Sequence, residues 1–122
     1  MKKIMVVDDA LFMRQMLIDI LAAEGYDICA EASTAVEAID KYRKYKPDLV
    51  TMDIVMPKME ELDGIGAVRE ILRVDPQARI LICSVLGQQA LLVEALAAGA
   101  KDFVTKPVKA VRLIEAVKNI LK

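Results

Sequence analysis

The chain has 122 residues, 56% of them hydrophobic, enough for one well-buried core and too few for two. Its 17 basic and 18 acidic residues give a formal charge of −1, which excludes the one-sided field that captures nucleic acid or an anionic membrane. It contains no histidine, so Ser-His-Asp catalysis, His-ligated zinc and phosphohistidine formation on this chain are excluded, and any chemistry rests on carboxylates, lysines and hydroxyls.

In chain order, short apolar runs alternate with segments of helical period. The first run, Lys3 to Val7, follows the opening Met1-Lys2-Lys3-Ile4 with no cleavable signal pattern, and no apolar stretch approaches the about 18 residues that span a bilayer. A cytoplasmic protein with no membrane insertion is expected. A helix over about Ala10 to Glu24 repeats apolar residues at Met13, Leu17, Ile20 and Leu21 and stops at Gly25. A strand over Asp27 to Glu31 is followed by a helix from about Thr34 to Tyr45, with Ala35, Ala38, Ile39 and Tyr42 on one face and Lys46-Pro47-Asp48 ending it.

The third strand, Leu49 to Met52, leads to a helix carrying Ile65, Val68, Ile71 and Leu72 that ends near Asp75-Pro76. Arg79 to Cys83 forms the fourth strand, and the helix after it, about Gln88 to Ala98, has Glu94 as its only charge. Such a helix is buried nearly all round or shows an apolar patch to a partner through Leu91, Leu92 or Val93. Asp102 to Val104 is the last strand; the last helix turns Val111, Ile114, Val117 and Leu121 inward. Cys29 and Cys83 fall within strand-like runs and read as buried thiols. Five strand–helix repeats imply an α/β fold, a doubly wound five-stranded parallel sheet with five helices on its two faces.

In that architecture the binding crevice lies beyond the carboxyl ends of the strands. Asp8 and Asp9 follow the first strand, Asp53 the third and Lys106 the fifth, while the hydroxyl of Ser84 closes the fourth. Three carboxylates placed together repel by roughly 4 kcal/mol per pair at 4 Å and an effective dielectric near 20, so the cluster requires a cation or a proton. Mg²⁺ suits hard oxygen ligands and leaves coordination places for water and phosphate. With Lys106 and Ser84 the set is suited to phosphoryl transfer onto a carboxylate.

These motifs, Asp8-Asp9, Met52-Asp53-Ile-Val-Met-Pro57, Cys83-Ser84 and Lys106-Pro107, resemble the receiver domain of two-component response regulators over essentially the whole chain. The runs Asp8-Asp9-Ala-Leu-Phe-Met-Arg14, Gly87-Gln-Gln89 and Ala98-Gly-Ala-Lys-Asp-Phe103 look most like its CheY-type chemotaxis regulators. The resemblance implies a flavodoxin-like strand order 2-1-3-4-5 and a single receiver domain over residues 1–122. It implies that Asp53 accepts a phosphoryl group from a CheA-like histidine kinase, and that Mg²⁺ is held by Asp8, Asp9, Asp53 and the carbonyl of Val55. Lys106 and Ser84 would contact the phosphoryl oxygens, and Phe103 would be the aromatic that turns inward when Ser84 moves. The output surface would lie on the fourth helix, fifth strand and fifth helix, with a phosphatase as a further possible partner.

The chain departs from that family at Glu60-Glu61-Leu62, which intervene before Asp63-Gly64, at Val85 after Ser84, at Val108 after Lys106-Pro107 and at Ala35 before the second helix. Alternatives are a receiver belonging to a longer regulator with an effector domain, and a phosphorelay intermediate. A flavin-binding protein needs a phosphate loop where Asp8-Asp9 would repel phosphate. A haloacid-dehalogenase-type phosphatase needs an acid two residues after its nucleophile, where Val55 stands here.

Overall fold

The structure is a computed structural model that describes residues 1–56 and 63–122. Strands β1 (Lys3–Val7), β2 (Asp27–Ala32), β3 (Leu49–Asp53), β4 (Ile80–Val85) and β5 (Asp102–Lys106) alternate with helices α1 (Leu11–Ala23), α2 (Ala35–Tyr45), α3 (Gly64–Val74), α4 (Gln89–Ala98) and α5 (Ala110–Leu121). All pairings are parallel, and the sheet runs β2-β1-β3-β4-β5. The expected fold class and strand order are those found, but Val111, expected inward on the last helix, is exposed, and Leu113 and Ala116 are buried beside Val117 in its place.

The three central strands, β1, β3 and β4, are buried on both faces and so read as continuous apolar runs, whereas the edge strands β2 and β5 are only partly buried and carry Asp27, Glu31, Asp102 and Lys106. Met5, Val7, Val50, Met52, Ile80 and Ile82 pack with α2, α3 and α4 in one core. Ile4, Val6, Leu49, Leu81, Cys83 and Val104 pack with Leu17, Leu21, Leu113 and Val117 of α1 and α5 in the other. Fully buried side chains of this size contribute about 1.5–3 kcal/mol each, so two such cores outweigh the repulsion gathered at one end of the sheet.

Local chemistry sets the helix ends. The Thr34 hydroxyl accepts from the Glu37 amide at 3.1 Å, and the Glu37 carboxylate returns to the Ser33 amide at 3.2 Å. Asp63 starts α3 by accepting from the Gly66 amide at 2.9 Å. Strands β4 and β5 run two residues further than the apolar pattern predicts, because Ser84 pairs with Thr105 and Val85 with Lys106. Hydrophobic patterning stops where side chains turn polar, whereas backbone pairing continues to the crevice.

No helix among the described residues is long and apolar enough to cross a membrane. The insertion Glu60-Glu61-Leu62 lies outside the described residues.

Gly64 is fixed by contact. Its amide donates to the Ile54 carbonyl at 3.2 Å, and a Cβ at this position would meet backbone oxygens of Asp53 and Ile54 at 2.3 and 2.5 Å. Backbone cannot swing aside as a side chain does, so Gly64→Ala is expected to destabilise by about 1–3 kcal/mol. In a chain of this size that lowers Tm by roughly 4–12 °C, measurable by circular dichroism.

Candidate functional site

The strand order reverses at β1, whose neighbours β2 and β3 are reached by connections to opposite faces, and this opens a crevice beyond the carboxyl ends of β1 and β3. Asp8 extends β1 by one residue, its amide donating to the Ala32 carbonyl at 3.0 Å. One Asp8 carboxylate oxygen accepts from the Ala10 amide at 2.9 Å, and the other accepts from Lys106 Nζ at 2.9 Å. Lys106 Nζ also lies 3.3 Å from Asp53 Oδ1, which accepts from the Val55 amide at 3.3 Å. Carboxylate oxygens of Asp8, Asp9 and Asp53 all fall within 4.8 Å of one another, with Asp8 and Asp53 buried and Asp9 exposed.

Burial pushes the Asp53 carboxyl up, the neighbouring Asp8 charge pushes it further, and Lys106 opposes both; Asp53 ends near pKa 7 instead of 3.8. Burial alone would lower the Lys106 ammonium, but its hydrogen bond to Asp8 and the charges of Asp53 and Asp8 outweigh burial and raise it. Lys106 therefore stays charged and neutralises one of the crowded acids. The remaining two negative charges, presented on hard oxygens with one carboxylate open to solvent, fit an octahedral dication that keeps part of its water shell.

Ser84 is buried on β4, one residue past Cys83, the register partner of Asp53. It lines a cavity of about 240 Å³ together with Gln88, Leu92, Phe103 and Thr105. Phe103 is half-buried against the α2–α4 core. Thus Asp8, Asp9, Asp53 and Lys106 converge, Ser84 and Phe103 share the adjoining cavity, and Val55 reaches Asp53 through its amide. Cys83 behaves as the expected buried thiol, its pKa pushed up to about 12 by burial, whereas Cys29, on the edge strand β2, is only half-buried.

Helix α4 is not buried nearly all round. Ala95 is buried and Leu92 and Leu96 are half-buried against the core, while Val93 is 66% exposed. The loop entering it leaves Leu86 79% exposed.

Two residues without a role in the sequence reading also touch the site. Arg14 donates from Nη1 to the Asp8 carbonyl at 2.8 Å. Gln88 Oε1 accepts from the Val85 amide at 3.1 Å and so fastens the β4–α4 loop. On the same strand as Asp53, Thr51 is buried, its hydroxyl without a hydrogen-bond partner among the described residues. Arg14 alone left a signal: a cation in the first turn of a helix opposes the helix dipole and calls for a specific partner.

The sequence matches the response regulator receiver domain over residues 4–118. The chain belongs to that family. It is 50% identical to the chemotaxis protein CheY of Thermotoga maritima, over 99% of this chain and 98% of that protein. It is also 50% identical to the chemotaxis protein CheY of Bacillus subtilis, over 98% of this chain and 97% of that protein. Among solved structures, a chain of the CheX–CheY–BeF₃–Mg²⁺ complex from Borrelia burgdorferi superposes with a TM-score of 0.91 at 34% identity, covering 99% of this chain and 90% of that one.

A carboxyl raised from 3.8 to about 7 binds more protons folded than unfolded, so its stabilising share is whole below pH 3.8 and is lost as pH rises through 7. Without divalent cations, Asp53→Asn is therefore expected to melt higher than the wild type at pH 8, by about 4 °C after allowance for solvent screening, and the gap should close toward pH 4. Thermal melts in chelator across that range test this, and adding Mg²⁺ at pH 8 should raise the wild-type Tm.

Proposed function

We propose that the protein is a phospho-acceptor switch that takes a phosphoryl group on Asp53 from a CheA-like histidine kinase and passes the signal to a partner, in chemotaxis. The observation that carries this reading is the single ammonium of Lys106 held between two buried carboxylates, 2.9 Å from Asp8 and 3.3 Å from Asp53. Because the chain has no histidine, the phosphohistidine belongs to the partner.

In the transfer, an Asp53 oxygen forms a bond to phosphorus as the phosphorus–nitrogen bond breaks, and the electron pair stays on the imidazole nitrogen. The Val55 amide and Lys106 hold the Asp53 carboxylate in place for the attack. Lys106 then follows the charge onto the phosphoryl oxygens, and the Ser84 hydroxyl donates to one of them. Asp8, Asp9, Asp53 and the Val55 carbonyl would hold Mg²⁺, which supplies charge neutralisation to the transferring group. Movement of Ser84 toward Asp53 enlarges the cavity it shares with Phe103, and the ring turns into that space. The signal leaves through α4, β5 and α5. A flavin site and a haloacid-dehalogenase-type phosphatase have no support in this arrangement of acids.

Incubation with acetyl phosphate and Mg²⁺, followed by intact mass, is expected to show one acid-stable, base-labile phosphate. Asp53→Asn should carry none, and chelation should abolish the incorporation. A phosphate that persists in Asp53→Asn would refute the reading.

On the output side, Val93 is the residue to change, since Leu92 packs inward beside Ser84 and Phe103. Val93→Glu should leave phosphorylation unchanged and weaken capture of the target by the phosphorylated form at least tenfold in a pull-down titration.

A further inference from the structure

Arg14 lies in the first turn of α1, its side chain only 16% exposed. From Nη1 it donates to the Asp8 carbonyl at 2.8 Å, and from Nε it donates to Glu31 Oε1 on β2 at 3.1 Å. Its own amide donates to the Ala10 carbonyl at 3.0 Å, in the loop between β1 and α1. The guanidinium thus joins three segments: the end of β1, the end of β2 and the start of α1.

The Asp8 carbonyl belongs to the peptide plane that joins Asp8 to Asp9. Gripping that oxygen fixes the plane relative to Asp8, which sets the ψ angle of Asp8 and with it the place of the Asp9 Cα from which the second carboxylate springs. The Asp8 side chain is separately pinned by the Ala10 amide and by Lys106, but Asp9 is exposed. The geometry points to Arg14 as a positioning residue for divalent-cation binding, holding the Asp8–Asp9 peptide so that both carboxylates meet one ion. Glu31 orients the guanidinium for that task. This assignment rests on the reading of Asp8, Asp9 and Asp53 as a Mg²⁺ site.

Charge and position make opposite forecasts, and this gives the assignment a sharp test. A guanidinium near the site repels a dication, so if Arg14 acted only as a charge, its removal would tighten Mg²⁺ binding. If it positions the carboxylates, its removal weakens binding although a repelling charge has gone. Isothermal titration of the unphosphorylated protein with MgCl₂ reads the sign directly.

Arg14→Met keeps the aliphatic stem and should raise the Kd for Mg²⁺ about tenfold. Arg14→Lys keeps the charge and one donor but cannot span both acceptors, and should fall between. Arg112→Met serves as the control, since Arg112 also donates to a strand carbonyl, that of Phe103 at 2.8 Å, and should change the Kd less than twofold. The rate of phosphorylation by acetyl phosphate in Arg14→Met should return toward the wild-type value at saturating Mg²⁺, separating metal affinity from chemistry. Unchanged or tighter binding in both Arg14 variants would overturn the assignment while leaving the proposed function intact. A wild-type protein that binds no Mg²⁺ would overturn both. If Arg14→Met fails to fold, Arg14→Lys decides the matter alone: a Kd equal to wild type counts against positioning.

Discussion

The organising constraint is the crowding of acids at one end of the sheet. Asp8 and Asp53 are buried, Asp9 stands within 4.8 Å of both, and one ammonium is set among them. At roughly 4 kcal/mol per close pair of like charges, such a cluster survives only because two apolar cores hold the strands in register whatever their ends prefer. The scaffold stores electrostatic discomfort, and the stored energy makes the site receptive to positive charge.

The same constraint governs the surroundings. The carboxyl ends of parallel strands gather their side chains on one edge, so residues as remote in sequence as Asp8 and Lys106 meet at 2.9 Å without a long loop. Gly64 brings the start of α3 onto the backbone of Asp53 and Ile54, closing one side of the crevice. On the other side Gln88 fastens the β4–α4 loop through the Val85 amide, next to Ser84. The acidic cluster is thus framed by backbone contacts, while the hydroxyl and aromatic of the adjoining cavity keep space around them.

Much of this was legible in the sequence because the pattern and the physics coincide. Apolar runs separated by Gly25, by Lys46-Pro47 and by Asp75-Pro76 mark the strands and helices of the described residues, most plainly the three central strands, which are buried on both faces and apolar nearly throughout. Acids and a lysine at strand ends marked the site because a parallel sheet gathers those ends on one edge, where carboxylates repel and call for a counter-charge. The true ends of β4 and β5 were hidden, because backbone pairing leaves no trace in side-chain polarity. Arg14 and Gln88 escaped for a related reason: each acts on a main-chain atom, and a carbonyl or amide has no letter of its own. The order of the strands came from family resemblance, as five similar runs do not reveal which neighbours they choose.

Cys83 gives this architecture a built-in clock. Its sulfur is fully enclosed on the strand beside Asp53, and a thiol held near pKa 12 yields almost no thiolate at neutral pH. An alkylating reagent reaches that sulfur only when the centre of the sheet comes apart, so the speed of its modification counts openings of the whole molecule. A sulfur sealed beside the acidic cluster thereby keeps time for the opening of the whole sheet.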